Sequence, residues 1–175
     1  MSKKNNLLVA ASGTGGHIFP ALAVSKELEE EWNIHWLGVH QRFDADFVPN
    51  KYNLTTLNIK TPRKNIFLFY QYLAILMSTF KIIGILKEKQ INLVFTTGGY
   101  ISAPTIVASK ILRIPVIIHE SNLIPGMVTK YFGFLCNYVL LGFKKTDYYL
   151  KNCKTIFTGT PLREQFYKSN SLPEW

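Results

Sequence analysis

Cysteine, acidic side chains and low-complexity sequence are scarce in this chain of 175 residues. Its two cysteines, Cys136 and Cys153, have neither metal-ligand spacing nor the pattern of a disulfide framework. Reduced thiols in a cytoplasmic protein are therefore expected. Asp and Glu total 11 against 20 Lys and Arg. No acidic cluster suggests a bound metal, so neither a metal nor another cofactor is expected. There is no internal repeat, and a hydrophobic content of 47% argues for a globular fold rather than disorder. The polar start Met1 to Asn6 carries no signal-peptide pattern. Zinc-finger and RNA-binding signatures are missing, and the basic residues form no dense helix or arm, which sets nucleic acid aside as a partner. The formal charge of +9 instead favours anionic lipid or a phosphorylated substrate.

What the chain does have is short apolar, β-branched runs separated by helical patterns. The runs are Leu7 to Ala10, Ile34 to Val39, Leu54 to Ile59, Leu93 to Thr96, Val116 to His119, Tyr138 to Leu141 and Thr155 to Phe157. They are continuously apolar because strands covered on both faces need no polar side. The alternation predicts an α/β fold, a Rossmann-like doubly wound parallel sheet. Helices are expected over Ile18 to Glu31, with Pro20 in the first turn where proline is tolerated, near Ala45 to Lys51, and over Phe67 to Lys89, Ser102 to Leu112, Gly126 to Cys136 and Lys145 to Leu150. The loops that follow the strands lie on the edge where open α/β sheets bind ligands.

Three of those loops are chemically distinctive. Ala11-Ser12-Gly13-Thr14-Gly15-Gly16-His17 joins the first strand to the first helix, an arrangement that aims backbone N–H groups at a phosphate or diphosphate. A tight turn with no ligand would use the same glycines. The dinucleotide fingerprint Gly-x-Gly-x-x-Gly is not met, because Ile18 stands where its last glycine belongs. Thr96-Thr97-Gly98-Gly99-Tyr100-Ile101-Ser102 repeats the strand, glycine pair and helix start. Ser102 there suits an N-cap, and Tyr100 reads as an exposed loop aromatic or as a core plug. Two glycine loops on one edge suit a long anionic ligand. His119-Glu120-Ser121-Asn122 ends a buried strand with four polar residues, which is unusual unless they line a site. By itself His119 also suits a satisfied core histidine, and Glu120 and Asn122 are the stronger contact candidates.

With Gly159-Thr160-Pro161-Leu162-Arg163 following these loops in order, the chain resembles the MurG family, bacterial UDP-N-acetylglucosamine transferases of peptidoglycan synthesis. The likeness covers the N-terminal half of that family. It implies the N-terminal domain of a GT-B glycosyltransferase, over residues 1–158, with 159–175 a hinge and tail toward a C-terminal donor-binding domain absent from this sequence. The implied reaction is inverting transfer of N-acetylglucosamine from UDP-N-acetylglucosamine to the muramoyl 4-hydroxyl of lipid I, giving lipid II. The resemblance further implies His17 as general base and Glu120 in catalysis or acceptor binding. It implies donor contacts at Thr14, Gly15, Gly16, Asn122 and Arg163, and acceptor or diphosphate contacts at Gly13, Gly98, Gly99 and Tyr100. Ser12 and Thr160 depart from the family's usual glycine and asparagine. Ser12 is tolerable if its φ is negative.

The stretch Ile66 to Ile85 is about as long as a spanning helix, but Gln71 and Lys81 interrupt it, and it must also connect two strands of the sheet. Arg63 and Lys64 ahead of Phe67 and Phe69 fit peripheral attachment to anionic lipid, and the resemblance implies that the lipid is the cytoplasmic face of the bacterial inner membrane. A core crossover helix accounts for the aliphatic residues of the same segment. The expectation is thus an acceptor-binding half that does not turn over alone. The alternative is a non-catalytic, membrane-associated acceptor-binding subunit of a split UDP-sugar transferase.

Overall fold

The structure, a computed structural model, describes residues 4–39, 47–57 and 68–162, without the side chains of 68–74. Seven strands form one all-parallel sheet: β1 (Asn5–Ala10), β2 (Trp32–Val39), β3 (Asn53–Leu57), β4 (Ile91–Thr96), β5 (Val116–Glu120), β6 (Tyr138–Leu141) and β7 (Thr155–Phe157). Their order is β3-β2-β1-β4-β5-β6-β7. Every predicted strand is present, and the fold is the expected Rossmann-like α/β class. The predicted end of the third strand, residues 58 and 59, lies outside the described residues.

Alternation along β1 divides the core. Leu7 and Val9 join Ile18 and Ala21 of helix α1 (Gly15–Leu28), with Ile34, Trp36 and Phe95, on one face. Leu8 and Ala10 join Ile82 and Leu86 of α2 (Leu68–Glu88), with Ile106 of α3 (Ser102–Ile111) and Ile118, on the other. Both faces are covered, which is why the strands read as unbroken apolar runs.

Three helical expectations change. Helix α1 begins at Gly15 rather than Ile18, so Pro20 sits past the first turn and the Gly16 carbonyl receives no N–H from it. The pattern over Gly126 to Cys136 is helix α4 (Met127–Phe132) followed by a 3₁₀ turn, Gly133–Leu135. Lys144–Tyr149 is 3₁₀ rather than α. Residues 45 and 46 of the short helix expected at 45–51 lie outside the described residues.

Candidate active site

The chain runs from β1 to β2 and β3 on one side of the sheet, then crosses to place β4 on the other side of β1. The carboxyl ends of β1 and β4 are therefore the topological switch point, where the departing loops diverge and leave a crevice. Ala10 and Thr96, the last residues of the two strands, are paired in register. Both glycine loops spring from this spot.

In the first loop Gly13 turns at φ 108°. Ser12 is not among the residues of positive φ, so the side chain where the MurG family favours glycine is accommodated. Its hydroxyl is buried and has no hydrogen-bond partner among the described residues. Thr14 is the extended N-cap of α1, and its carbonyl accepts the amides of His17 (3.0 Å) and Ile18 (3.2 Å). The Thr14 side chain makes no cap bond, so first-turn N–H groups of a 14-residue helix stay available to an anion. A Cβ at Gly15 would stand 2.6 Å from the Phe19 ring, which packs edge-on against Phe47. Glycine at 15 therefore leaves the Phe19 ring its place against Phe47.

The second loop closes on the first. His17 Nδ1 lies 2.6 Å from the Thr97 carbonyl oxygen, and the Thr97 hydroxyl donates to the His17 carbonyl at 2.7 Å. Gly98 (φ 96°) and Gly99 (φ 84°) hold left-handed backbone. A Cβ on Gly98 would sit 3.2 Å from His17 Cε1, and one on Gly99 would sit 3.1 Å from the Ser12 carbonyl. Glycine here makes room for an imidazole and for the neighbouring loop. Below them the Thr96 hydroxyl donates to the Ala10 carbonyl at 2.6 Å, tying the two strand ends together. Ser102 does not cap α3 as expected. Ile101 holds that position, and the Ser102 hydroxyl turns back to the Gly98 carbonyl at 2.6 Å. Tyr100 is an exposed loop aromatic, with about half of its surface open (52%).

Beyond β5, the buried Glu120 carboxylate organises its own loop. Oε1 accepts from the Asn122 amide (3.0 Å) and side chain (2.8 Å). Oε2 accepts from the Gly126 amide (2.9 Å) and the Thr129 hydroxyl (2.6 Å). His119, also buried, donates from Nε2 to the Gly159 carbonyl (2.9 Å) and accepts at Nδ1 from Ser121 (3.2 Å). Burial pushes its pKa below the ordinary imidazole value, against weaker opposing effects of the Gly159 bond and Glu120. His119 is a neutral, satisfied histidine that straps the segment after β7 to the sheet. Gly142 lies beneath that segment, and a Cβ there would stand 2.5 Å from the Thr160 hydroxyl.

Of the residues singled out in the sequence, Gly13, Thr14, Gly15, Gly16, His17, Gly98, Gly99 and Tyr100 are brought to the switch-point crevice. Glu120 and Asn122 stand at the next strand end, bonded to one another. Arg163, Arg63, Lys64 and Phe67 lie outside the described residues, as does the side chain of Phe69. The sequence alone does not single out Thr97; a threonine beside a glycine pair at a strand end is the signal it offers.

The sheet order and the paired glycine turns at the switch point define a Rossmann-like α/β domain. Residues 7–141 match the glycosyltransferase family 28 N-terminal domain, and the chain belongs to that family. It is 88% identical over its whole length to the UDP-N-acetylglucosamine--N-acetylmuramyl-(pentapeptide) pyrophosphoryl-undecaprenol N-acetylglucosamine transferase of Prochlorococcus marinus strain MIT 9312, covering 48% of that protein. The chain thus spans about half the length of the curated relatives it matches. A crystal structure of Acinetobacter baumannii MurG superposes with a TM-score of 0.73 at 25% identity, over 98% of this chain and 50% of that one. The UDP-GlcNAc 2-epimerase of Methanocaldococcus jannaschii, in complex with UDP-GlcNAc and UDP, shares the fold with a TM-score of 0.66 at 17% identity, over 88% of this chain and 46% of that one.

Proposed function

We propose that this chain is the acceptor-side half of an inverting N-acetylglucosamine transferase that converts lipid I to lipid II. The observation that carries the reading is His17, held between two glycine loops at the switch point with its Nδ1 engaged by a carbonyl and no partner at Nε2 among the described residues. Nε2 is then placed to take the proton of the muramoyl 4-hydroxyl as that oxygen bonds to the anomeric carbon. The bond from that carbon to UDP breaks, and its electron pair leaves with UDP. First-turn amides of α1 balance diphosphate charge without a metal. Thr14, Gly15, Gly16, Asn122 and Arg163 are the residues for the donor. Gly13, Gly98, Gly99 and Tyr100 serve the acceptor, and Glu120 shapes the neighbouring loop. Residues 1–158 form the acceptor domain, and 159–175 lead toward the donor domain.

Membrane attachment belongs to the same proposal. On α2, Thr79, Ile82 and Leu86 turn inward, while Leu76, Met77 and Phe80 are exposed. Lys81 is exposed beside them. An apolar, basic helix face suits an anionic leaflet. Among the described residues no helix is long and apolar enough to cross a membrane. Peripheral seating on the cytoplasmic face of the inner membrane, with Arg63, Lys64, Phe67 and Phe69 contributing, fits that face.

The test joins this chain to the remaining half of the Prochlorococcus marinus MIT 9312 relative and measures UDP release from UDP-N-acetylglucosamine with a lipid I analogue. The expected result is turnover by the fusion, none by the chain alone, and a loss of about 10²- to 10⁴-fold in kcat for His17→Gln. Turnover by the isolated chain would overturn the reading, and an undiminished His17→Gln fusion would remove His17 as its base. Activity on mixing the two separate halves would favour a split transferase subunit instead.

A further inference from the structure

Histidine acts as a base only through a nitrogen that carries no proton, so the tautomer of His17 decides which ring atom can work. A carbonyl oxygen accepts and cannot donate. The 2.6 Å contact between Nδ1 and the Thr97 carbonyl therefore places the proton on Nδ1 and the lone pair on Nε2. Free histidine in water favours the opposite tautomer, so the protein must impose this one. A half-turn of the ring would set a C–H against the carbonyl and lose the bond. A Cβ on Gly98 would stand 3.2 Å from Cε1 and 3.5 Å from Nδ1, and one on Gly99 3.7 Å from Cδ2, so the two glycines leave the ring the space it occupies beside the carbonyl.

What holds the carbonyl in place is the side chain of the same residue. The Thr97 hydroxyl donates to the His17 carbonyl at 2.7 Å, so one residue grips both the ring and the backbone of the histidine. Thr97 is buried, where a hydrogen bond between two loops is little weakened by competing water. In many hydrolases a carboxylate orients the basic histidine. Here Glu120, the buried carboxylate after β5, has both oxygens occupied within its own loop.

We infer that Thr97 is the positioning residue of the site, fixing His17 as the Nδ1–H tautomer with Nε2 presented as proton acceptor. The catalytic use of Nε2 rests on the proposed transferase reading; the tautomer does not. His119 supplies an internal contrast, since its Nε2 donates to the Gly159 carbonyl and it should show the opposite tautomer.

The experiment is two-bond ¹H–¹⁵N correlation of the imidazoles in the labelled chain, recorded about two pH units above the ordinary imidazole range, with His17 assigned by the signal lost in His17→Gln. The expected result is the Nδ1–H pattern for His17 and the Nε2–H pattern for His119. Thr97→Val should move His17 to a mixture in which Nε2–H is at least about half, and Thr97→Ser should restore the original pattern. Thr97→Ala is the second variant should valine not fold. An Nε2–H pattern for wild-type His17, or an unchanged pattern in both Thr97→Val and Thr97→Ala, would overturn the inference. A correct tautomer together with a fully active His17→Gln fusion would instead remove His17 as the base and leave the tautomer and the role of Thr97 standing.

Discussion

His17 and Thr97, 80 residues apart, exchange hydrogen bonds in both directions: ring nitrogen to carbonyl at 2.6 Å, and hydroxyl to carbonyl at 2.7 Å. The pair joins the first turn of α1 to the end of β4 across the switch point. It makes the two glycine loops one unit, so a change in either should be felt at the imidazole.

Glycine substitutions should separate by environment. Gly99→Ala combines a left-handed backbone with a Cβ 3.1 Å from the Ser12 carbonyl, and it is expected to cost about 2 kcal/mol or more. Gly159 has φ 76° but open space around a Cβ, so its alanine variant should cost about 1–2 kcal/mol from strain alone. Gly84 lies within α2, where a Cβ would meet nothing within 4 Å, and Gly84→Ala should stabilise by about 0.5–1 kcal/mol. Urea midpoints of the three variants measure the order.

Glu120→Gln keeps the shape of the side chain and removes the acceptor capacity its four donors require. At least the bonds on one oxygen must be lost, leaving buried donors such as the Thr129 hydroxyl without a partner. A destabilisation of about 2–3 kcal/mol is expected. Hydrogen exchange should rise first at Asn122 and Gly126. Thr129→Val removes one donor and should cost about 1 kcal/mol.

Acid should weaken the fold before its carboxylates titrate. Burial depresses the pKa of His119, and burial followed by the charge of Lys89 depresses that of His35, both from an ordinary value of 6.5. Between the folded and unfolded values the unfolded chain binds more protons, so stability rises with pH across that window. The contribution is whole above about pH 6.5 and is lost as pH falls toward the depressed values. Glu29, lowered mainly by its bond to Lys51, adds its own loss only at more acidic pH. Melting temperatures followed from pH 8 to pH 5 should therefore fall, and His119→Gln should flatten the slope.

Exposed apolar residues on α2 should matter to lipid and little to folding. Co-sedimentation with anionic vesicles should drop several-fold in the double variant Met77→Ser, Phe80→Ser, as buried apolar area is lost. Its melting temperature should stay within about 2 °C of the parent, as for changes at exposed positions. Binding that is unchanged would remove this face from the membrane proposal.

The seven strands were legible because sheet burial on both faces leaves an unmistakable apolar run, as in Leu7 to Ala10 and Val116 to Ile118. The loops were legible as ligand-edge glycines, and His17 as the titratable group among them. What could not be read was the contact between them. The bond from Thr97 to His17 depends on β4 lying beside β1, which no local pattern specifies. Ser102 has the sequence position of a cap, at the start of a helix, yet its hydroxyl turns back to Gly98 because Ile101 already occupies the N-cap position. The start of α1 is hidden in the sequence because two glycines argue for turn, and only the Thr14 carbonyl accepting from His17 and Ile18 makes them helical.

The placement of β4 beside β1 also sets when the site can exist during synthesis. Residues 5–57 carry β1, α1, β2 and β3, with the β1–β2 and β2–β3 pairings local to that portion, so it can gather as soon as it leaves the ribosome. His17 is then present but unoriented, because its partner is 80 residues downstream and closing that distance is the slow, non-local step. Until β4 slides in next to β1, the crevice has one wall and β1 has an open edge. A nascent chain stalled before Thr97 would expose that edge to other strands, so the same insertion that seats the His17 ring also covers an edge open to aggregation.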